Sequence, residues 1–130
     1  MPIEVMDMPK MAREHGKRKV IFNTHRFHAW LHVYPQPGDA DDMHCHNADQ
    51  TFYVIEGECT MHFPDGGKAV MTPGMVATIT GGSFYQLENS GAGPMVLIVV
   101  AHTSANVGLI RVEMLRAAAE LPALAERGAA

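Results

Sequence analysis

The sequence predicts an all-β protein built as an antiparallel sandwich or small barrel. Three observations predict it. The middle of the chain falls into short stretches of strand composition at regular spacing. Turn residues bound each stretch: PQPGD at 35–39, HNAD at 46–49, PDGG at 64–67, TPG at 72–74, GG at 81–82 and NSGAG at 89–93. No repeat of about 20 to 50 residues and no low-complexity linker divides the chain.

Strands are expected at 19–34, 42–46, 50–56, 58–63, 69–71, 75–80, 83–88 and 95–102. Asp65-Gly66, between HF and KAV, predicts a tight hairpin, because glycine supplies the positive φ such turns need. RVEMLRAAAEL at 111–121 differs in kind, being rich in strong helix formers. Val112, Leu115 and Ala119 fall on one face, and Pro122 stops the helix. That helix is expected as a lid on one end of the barrel or a dimer contact, with PALAERGAA a frayed tail.

The 130 residues fit one domain, large enough for a core without disulfides. A formal charge of −4 leaves no basic field for a phosphate backbone, so no nucleic-acid partner is expected. The single basic run, GKRKV at 16–20, reads as a solvated approach to a strand. Cys45 and Cys59 make no disulfide framework, and Cys45 faces away from the histidines on either side of it. MVLIVVA at 95–101 is too short to span a bilayer, and the N-terminus lacks the apolar stretch of a secretory signal. The expected location is the cytoplasm, with no membrane partner.

MHCHNADQTFYVIEG, residues 43–57, carries the chemistry. On a strand His44 and His46 project to one face. The turn at 47–49 reverses the chain, and Gln50, Phe52 and Val54 then share one face of the next strand. Two imidazoles and an amide oxygen can so converge on a metal.

At these residues the chain resembles the cupin superfamily. That family's first motif runs glycine, five residues, His-x-His, three or four residues, glutamate, six residues, glycine. Here it reads Gly38, DADDM, His44-Cys45-His46, NAD, Gln50, TFYVIE, Gly57. The second motif runs glycine, five residues, proline, any residue, glycine, two residues, histidine, three residues, asparagine. Here it reads Gly74, MVATI, Thr80, Gly81, Gly82, SF, Tyr85, QLE, Asn89. Every spacing fits, and the resemblance covers roughly residues 28 to 102. It implies a double-stranded β-helix, or jelly-roll barrel, over 28–104. An N-terminal strand or arm at 1–27 precedes it, and the short C-terminal helix and tail at 105–130 follow.

Two ligand positions depart from the family pattern. Gln50 stands at the usual glutamate and Tyr85 at the usual last histidine. The implied ligands of a divalent transition metal are His44, His46, Gln50 and Tyr85. That set suits iron, manganese, nickel or zinc, whereas two imidazoles argue against magnesium and calcium. Tyr85 is either a ligand as phenolate or a general acid or base beside the ligands if its pKa is lowered. The resemblance also turns Leu31 and Val33 toward the cavity and His28, Trp30 and His32 outward. Leu31, Val33, Phe52, Val54 and Leu87 then form an apolar substrate wall. No cation is expected on the cavity face, which argues against a strongly anionic substrate.

The implied function is a small metal-dependent enzyme acting on a carbonyl, enolate or phenolic small molecule. Iron points to a dioxygenase, and zinc, manganese or nickel to a lyase, isomerase or cyclase. The alternatives are a cupin that binds a small molecule without metal or turnover, and a metal that only closes the barrel. Family analogy also implies a homodimer, paired through sheet edges near an outward-facing Trp30.

Overall fold

A computed structural model describes residues 3–102 and 109–111. Its first element is α1, Met8–His15, a helix absent from the strand or arm expected over 1–27. Its local signals are complete. The Asp7 carboxylate caps the N-terminus by accepting the Lys10 N–H at 3.0 Å. Pro9 stands in the first turn, where no N–H is needed. Gly16, at φ 67°, ends the helix by donating its N–H to the Ala12 carbonyl.

Ten strands follow: β1 Lys19–Asn23, β2 Phe27–Tyr34, β3 His44–His46, β4 Gln50–Glu56, β5 Cys59–His62, β6 Lys68–Met71, β7 Val76–Ile79, β8 Gln86–Asn89, β9 Met95–His102 and β10 Leu109–Arg111. The single strand expected over 19–34 is therefore two. The Thr24 hydroxyl accepts the backbone N–H groups of Arg26 and Phe27 and turns the chain between them. Arg111 lies in β10; the remainder of the helix expected at 111–121 lies outside the described residues. The Asp65-Gly66 hairpin forms, with Gly66 at φ 90° and the Asp65 carboxylate accepting the Gly67 N–H at 2.8 Å.

One sheet has the order β1-β2-β9-β4-β7, a second β6-β5-β8, and β10 pairs with β3. All named pairings are antiparallel. Bridges Ala40–Glu88 and His44–Tyr85 continue the second face from β8 toward β3. This is the double-stranded β-helix that the motif spacing implied. Phe52, Val54, Leu97 and Val99 from the five-stranded sheet meet Met61, Met71, Tyr85 and Leu87 from the opposite face in the main core.

The five-stranded sheet is also covered on its outer face. Leu31 and Val96 are fully buried with Ala12 of α1, and Met8, Met11, Ile21, Val33 and Ile55 pack around them. Leu31 and Val33 therefore do not line the cavity, contrary to the expectation from family resemblance. They are apolar because α1 lies on them. The period of two then turns Trp30, His32 and Tyr34 inward.

Two glycines separate backbone strain from close approach. A Cβ on Gly57 (φ 80°) would lie 2.3 Å from the Pro94 carbonyl oxygen, whereas one on Gly66 (φ 90°) would meet nothing within 4 Å. Gly66→Ala is expected to cost the left-handed penalty alone, about 1 kcal/mol. Gly57→Ala adds a backbone collision and should cost about 3 kcal/mol. Urea unfolding of both variants checks this, and equal losses would contradict the packing at Gly57.

Candidate functional site

The reciprocal bonds of one bridge fix the site. The His44 N–H donates to the Tyr85 carbonyl at 3.0 Å, and the Tyr85 N–H donates to the His44 carbonyl at 2.8 Å. The two rings consequently stand with centroids 4.5 Å apart, and the His46 ring lies 5.1 Å from that of His44. The turns of the two motifs are joined as well. The Gly82 N–H donates to the His46 carbonyl at 2.7 Å, and the Gly81 N–H to the Asp49 carboxylate at 2.8 Å. Gly81 cannot carry a side chain, because a Cβ would sit 2.1 Å from the Asn47 carbonyl oxygen.

These residues line a cavity of about 380 Å³. His44, His46, Gln50 and Tyr85 all reach it, as do Phe52 and Leu87 from the expected apolar wall. Val54 is buried in the core beside the cavity rather than on its wall, and Leu31 and Val33 lie under α1. Trp30, His32 and Tyr34 take the place expected of them. The family resemblance had implied the opposite alternation, with Trp30 and His32 outward. The dimer surface expected around an outward Trp30 loses that residue. Cys45 is buried and off the cavity, its thiol pushed up by burial.

The donor chemistry fits a transition metal. The His44 Nδ1 donates to the Asp42 carbonyl at 2.5 Å, which leaves Nε2 as the lone-pair nitrogen. Burial, with His44 and Arg18 nearby, lowers the His46 pKa to about 4, so its imidazole is neutral at pH 7. Among the described residues the buried Gln50 side-chain oxygen has no hydrogen-bond partner. An orphaned amide oxygen is costly unless a cation or donor meets it. Among the described residues no group of three or more His, Cys, Asp or Glu side chains gathers to hold a metal. A metal here would draw on Gln50, with or without Tyr85, beside the two imidazoles.

Tyr85 departs from one expectation. Burial, then Asp41, pushes its phenol pKa up, against an opposing hydrogen bond from the Gln50 amide. The protein's own groups thus keep it a neutral phenol, a hydrogen-bond donor rather than a base. Asp41 is occupied structurally: its carboxylate accepts the Leu87 N–H at 2.7 Å and the Tyr34 hydroxyl at 3.3 Å.

Arg18 is the residue the sequence reading missed. Its guanidinium carbon lies 4.9 Å from the Trp30 ring centroid, and the residue lines the cavity. The Lys17 carbonyl accepts the Val33 N–H, and Lys19 pairs with Leu31, so Arg18 falls opposite His32 on the inward face. The available signal was alternation within GKRKV, which sends every second residue inward.

A double-stranded β-helix with a His-x-His strand lining its cavity defines the cupin class of barrels. The sequence matches the Cupin domain family over residues 31–101, and the chain belongs to that family. It is similar to the TT1209 protein of Thermus thermophilus, with 30% identity over 78% of this chain and 98% of that one, at a TM-score of 0.65. It is also similar to an uncharacterized Klebsiella pneumoniae protein with a double-stranded β-helix domain, with 22% identity over 84% of this chain and 98% of that one, TM-score 0.70. The polyketide cyclase RemF of Streptomyces resistomycificus shares the fold, with 20% identity over 73% of this chain and 69% of that one, TM-score 0.66. No curated protein matches the sequence. Among the described residues no helix is long and apolar enough to cross a membrane.

His32 supplies a pH test of the cavity. Burial, then Arg18, lowers its pKa to about 4 from 6.5. Between those values the unfolded chain holds the proton that the folded chain refuses, so acid favours unfolding. The stability tied to neutral His32 is complete above about pH 6.5 and lost as pH falls toward about 4. In metal-free protein the urea midpoint should drop between about pH 7 and about pH 5 more in wild type than in His32→Gln. Equal drops would mean that His32 titrates as an open imidazole.

Proposed function

We propose that this chain is a metal-dependent cupin enzyme acting on a small organic molecule through its carbonyl, enolate or phenolic oxygen. One observation carries the reading: a buried Gln50 oxygen with no partner among the described residues, in the same cavity as two histidines. His44 and His46 would hold iron, manganese, nickel or zinc through neutral imidazoles, and Gln50 through its amide oxygen. Bound there, such a metal supplies Lewis acidity toward a substrate oxygen. Tyr85, as a neutral phenol, donates a hydrogen bond to an oxygen gathering negative charge. Phe52 and Leu87 exclude water from the apolar part of the substrate.

Iron would make the reaction a dioxygenase chemistry. Zinc, manganese or nickel would make it a lyase, isomerase or cyclase chemistry. The similar polyketide cyclase fits the cyclase branch but shares only the frame. A second reading draws on the hydrogen bond from Gln50 to Tyr85. Those two groups and the histidines would then bind a ligand by hydrogen bonds, without metal or turnover.

Elemental analysis of purified, tag-free protein tests the reading. About one equivalent of a single transition metal is expected, with loss of it in His44→Ala. Gln50→Ala should weaken uptake by about tenfold, or about 1.4 kcal/mol. Tyr85→Phe separates the two tyrosine roles: retained metal with reduced turnover marks a hydrogen-bond donor, and lost metal a ligand. Failure to take up any added metal would sink the metalloenzyme and leave the hydrogen-bonding reading.

A further inference from the structure

Arg18 lines the cavity while remaining exposed to solvent. Among the described residues its side chain enters no ion pair, and its guanidinium lies over the Trp30 ring. Stacking uses the face of a guanidinium and leaves its N–H edges free to donate. A second hollow, lined by Val20, Asn23, His28 and His46, opens beside the same Arg18–Trp30 pair. Trp30 itself is held from the other side, its indole N–H donating to His32 Nε2. The wall is thus a fixed aromatic plate with a cation over it, next to the proposed metal ligands.

We propose that Arg18 is the specificity residue of the cavity, binding the carboxylate of a substrate whose flat apolar body lies among Trp30, Phe52 and Tyr85. This rests on the reading of the cavity as a substrate site, and it reverses the expectation that no cation faces it. The charge tally favours a monoanion. Arg18 is the single arginine or lysine among the residues that line the cavity. Asp41 and Asp42 also line the cavity, where they would repel a second negative charge. A phosphate dianion would therefore meet one cation and two carboxyls, whereas a carboxylate matches the fork of one guanidinium. The aromatic faces of Trp30, Phe52 and Tyr85 select a planar apolar partner for the remainder.

The chain's single tryptophan is Trp30, so its emission reports on this wall alone. The experiment titrates full-length protein, held metal-free with a chelator, against benzoate, benzamide and inorganic phosphate while Trp30 emission is read. Benzoate is expected to change the emission saturably and to bind roughly tenfold or more tightly than benzamide, its neutral isostere. Phosphate is expected to compete poorly. Arg18→Gln should lose that preference, while Arg18→Lys, which keeps the charge but not the fork, should retain part of it. Isothermal titration on the variants guards against a change in emission that merely reflects the lost stack, and unchanged far-ultraviolet dichroism guards against misfolding. Equal binding of benzoate and benzamide, undiminished benzoate binding in Arg18→Gln, phosphate binding as tightly as benzoate, or no saturable benzoate response would each overturn the assignment. Because the titration needs no metal, its outcome is independent of the elemental analysis, and either reading can fail without the other.

Discussion

The site depends on a two-bond exchange between the backbones of His44 and Tyr85. These residues lie forty-one positions apart, one at the start of a three-residue strand and the other just before β8. Neither segment is long enough to hold its place by strand pairing alone. Asp41 strengthens the clasp by donating its N–H to the Leu87 carbonyl and accepting the Leu87 N–H on its carboxylate. At the far end Asn89 donates from its side chain to the carbonyls of Tyr34 and Gly93, closing the same segment against β2. The histidine-bearing strand β3 is thus set by hydrogen-bonded polar groups. Such networks define one geometry more sharply than apolar packing does.

Within that frame the cavity divides by charge. Asp41 and Tyr34 form a satisfied acidic corner, and burial pushes both of their pKa values up. The imidazoles of His32, His44 and His46 and the guanidinium of Arg18 line the same cavity. Gln50 shows one committed and one uncommitted end, its amide nitrogen bound to Tyr85 and its oxygen bound to nothing among the described residues. A glutamate at the same position would bring a full charge into a pocket that already borders two aspartates. Glutamine keeps an oxygen donor there without adding that repulsion.

Most strands were legible because Gly, Pro and Asp mark their ends, and because the two motifs fix the register of the turns between them. The break at Thr24 was not, since Thr-His-Arg contains no glycine or proline and turns the chain by a hydroxyl alone. α1 was legible in principle: Asp7, Pro9 and Gly16 are the signals that begin and end a helix. Missing it had a consequence further along. Without a helix to cover the outer face, nothing in the sequence opposed the alternation implied by resemblance, with Leu31 and Val33 inward and Trp30 and His32 outward. His44, His46 and Gln50 were legible as neighbours from spacing, and Tyr85 from the resemblance to the family's second motif. What the spacing does not carry is the protonation of Tyr85, which burial sets.

The position of β9 has a consequence for how the chain is made. This strand, residues 95–102, is the one that joins β2 to β4 in the five-stranded sheet. During synthesis β2 and β4 emerge long before it and have no partner in common. Their apolar residues and unpaired edges must wait for nearly the whole barrel to be translated. α1 is already available at that stage and shields Leu31 on one side. A helix at the start of the chain is therefore placed where a nascent jelly roll is most exposed, and its cover is in position before the closing strand arrives.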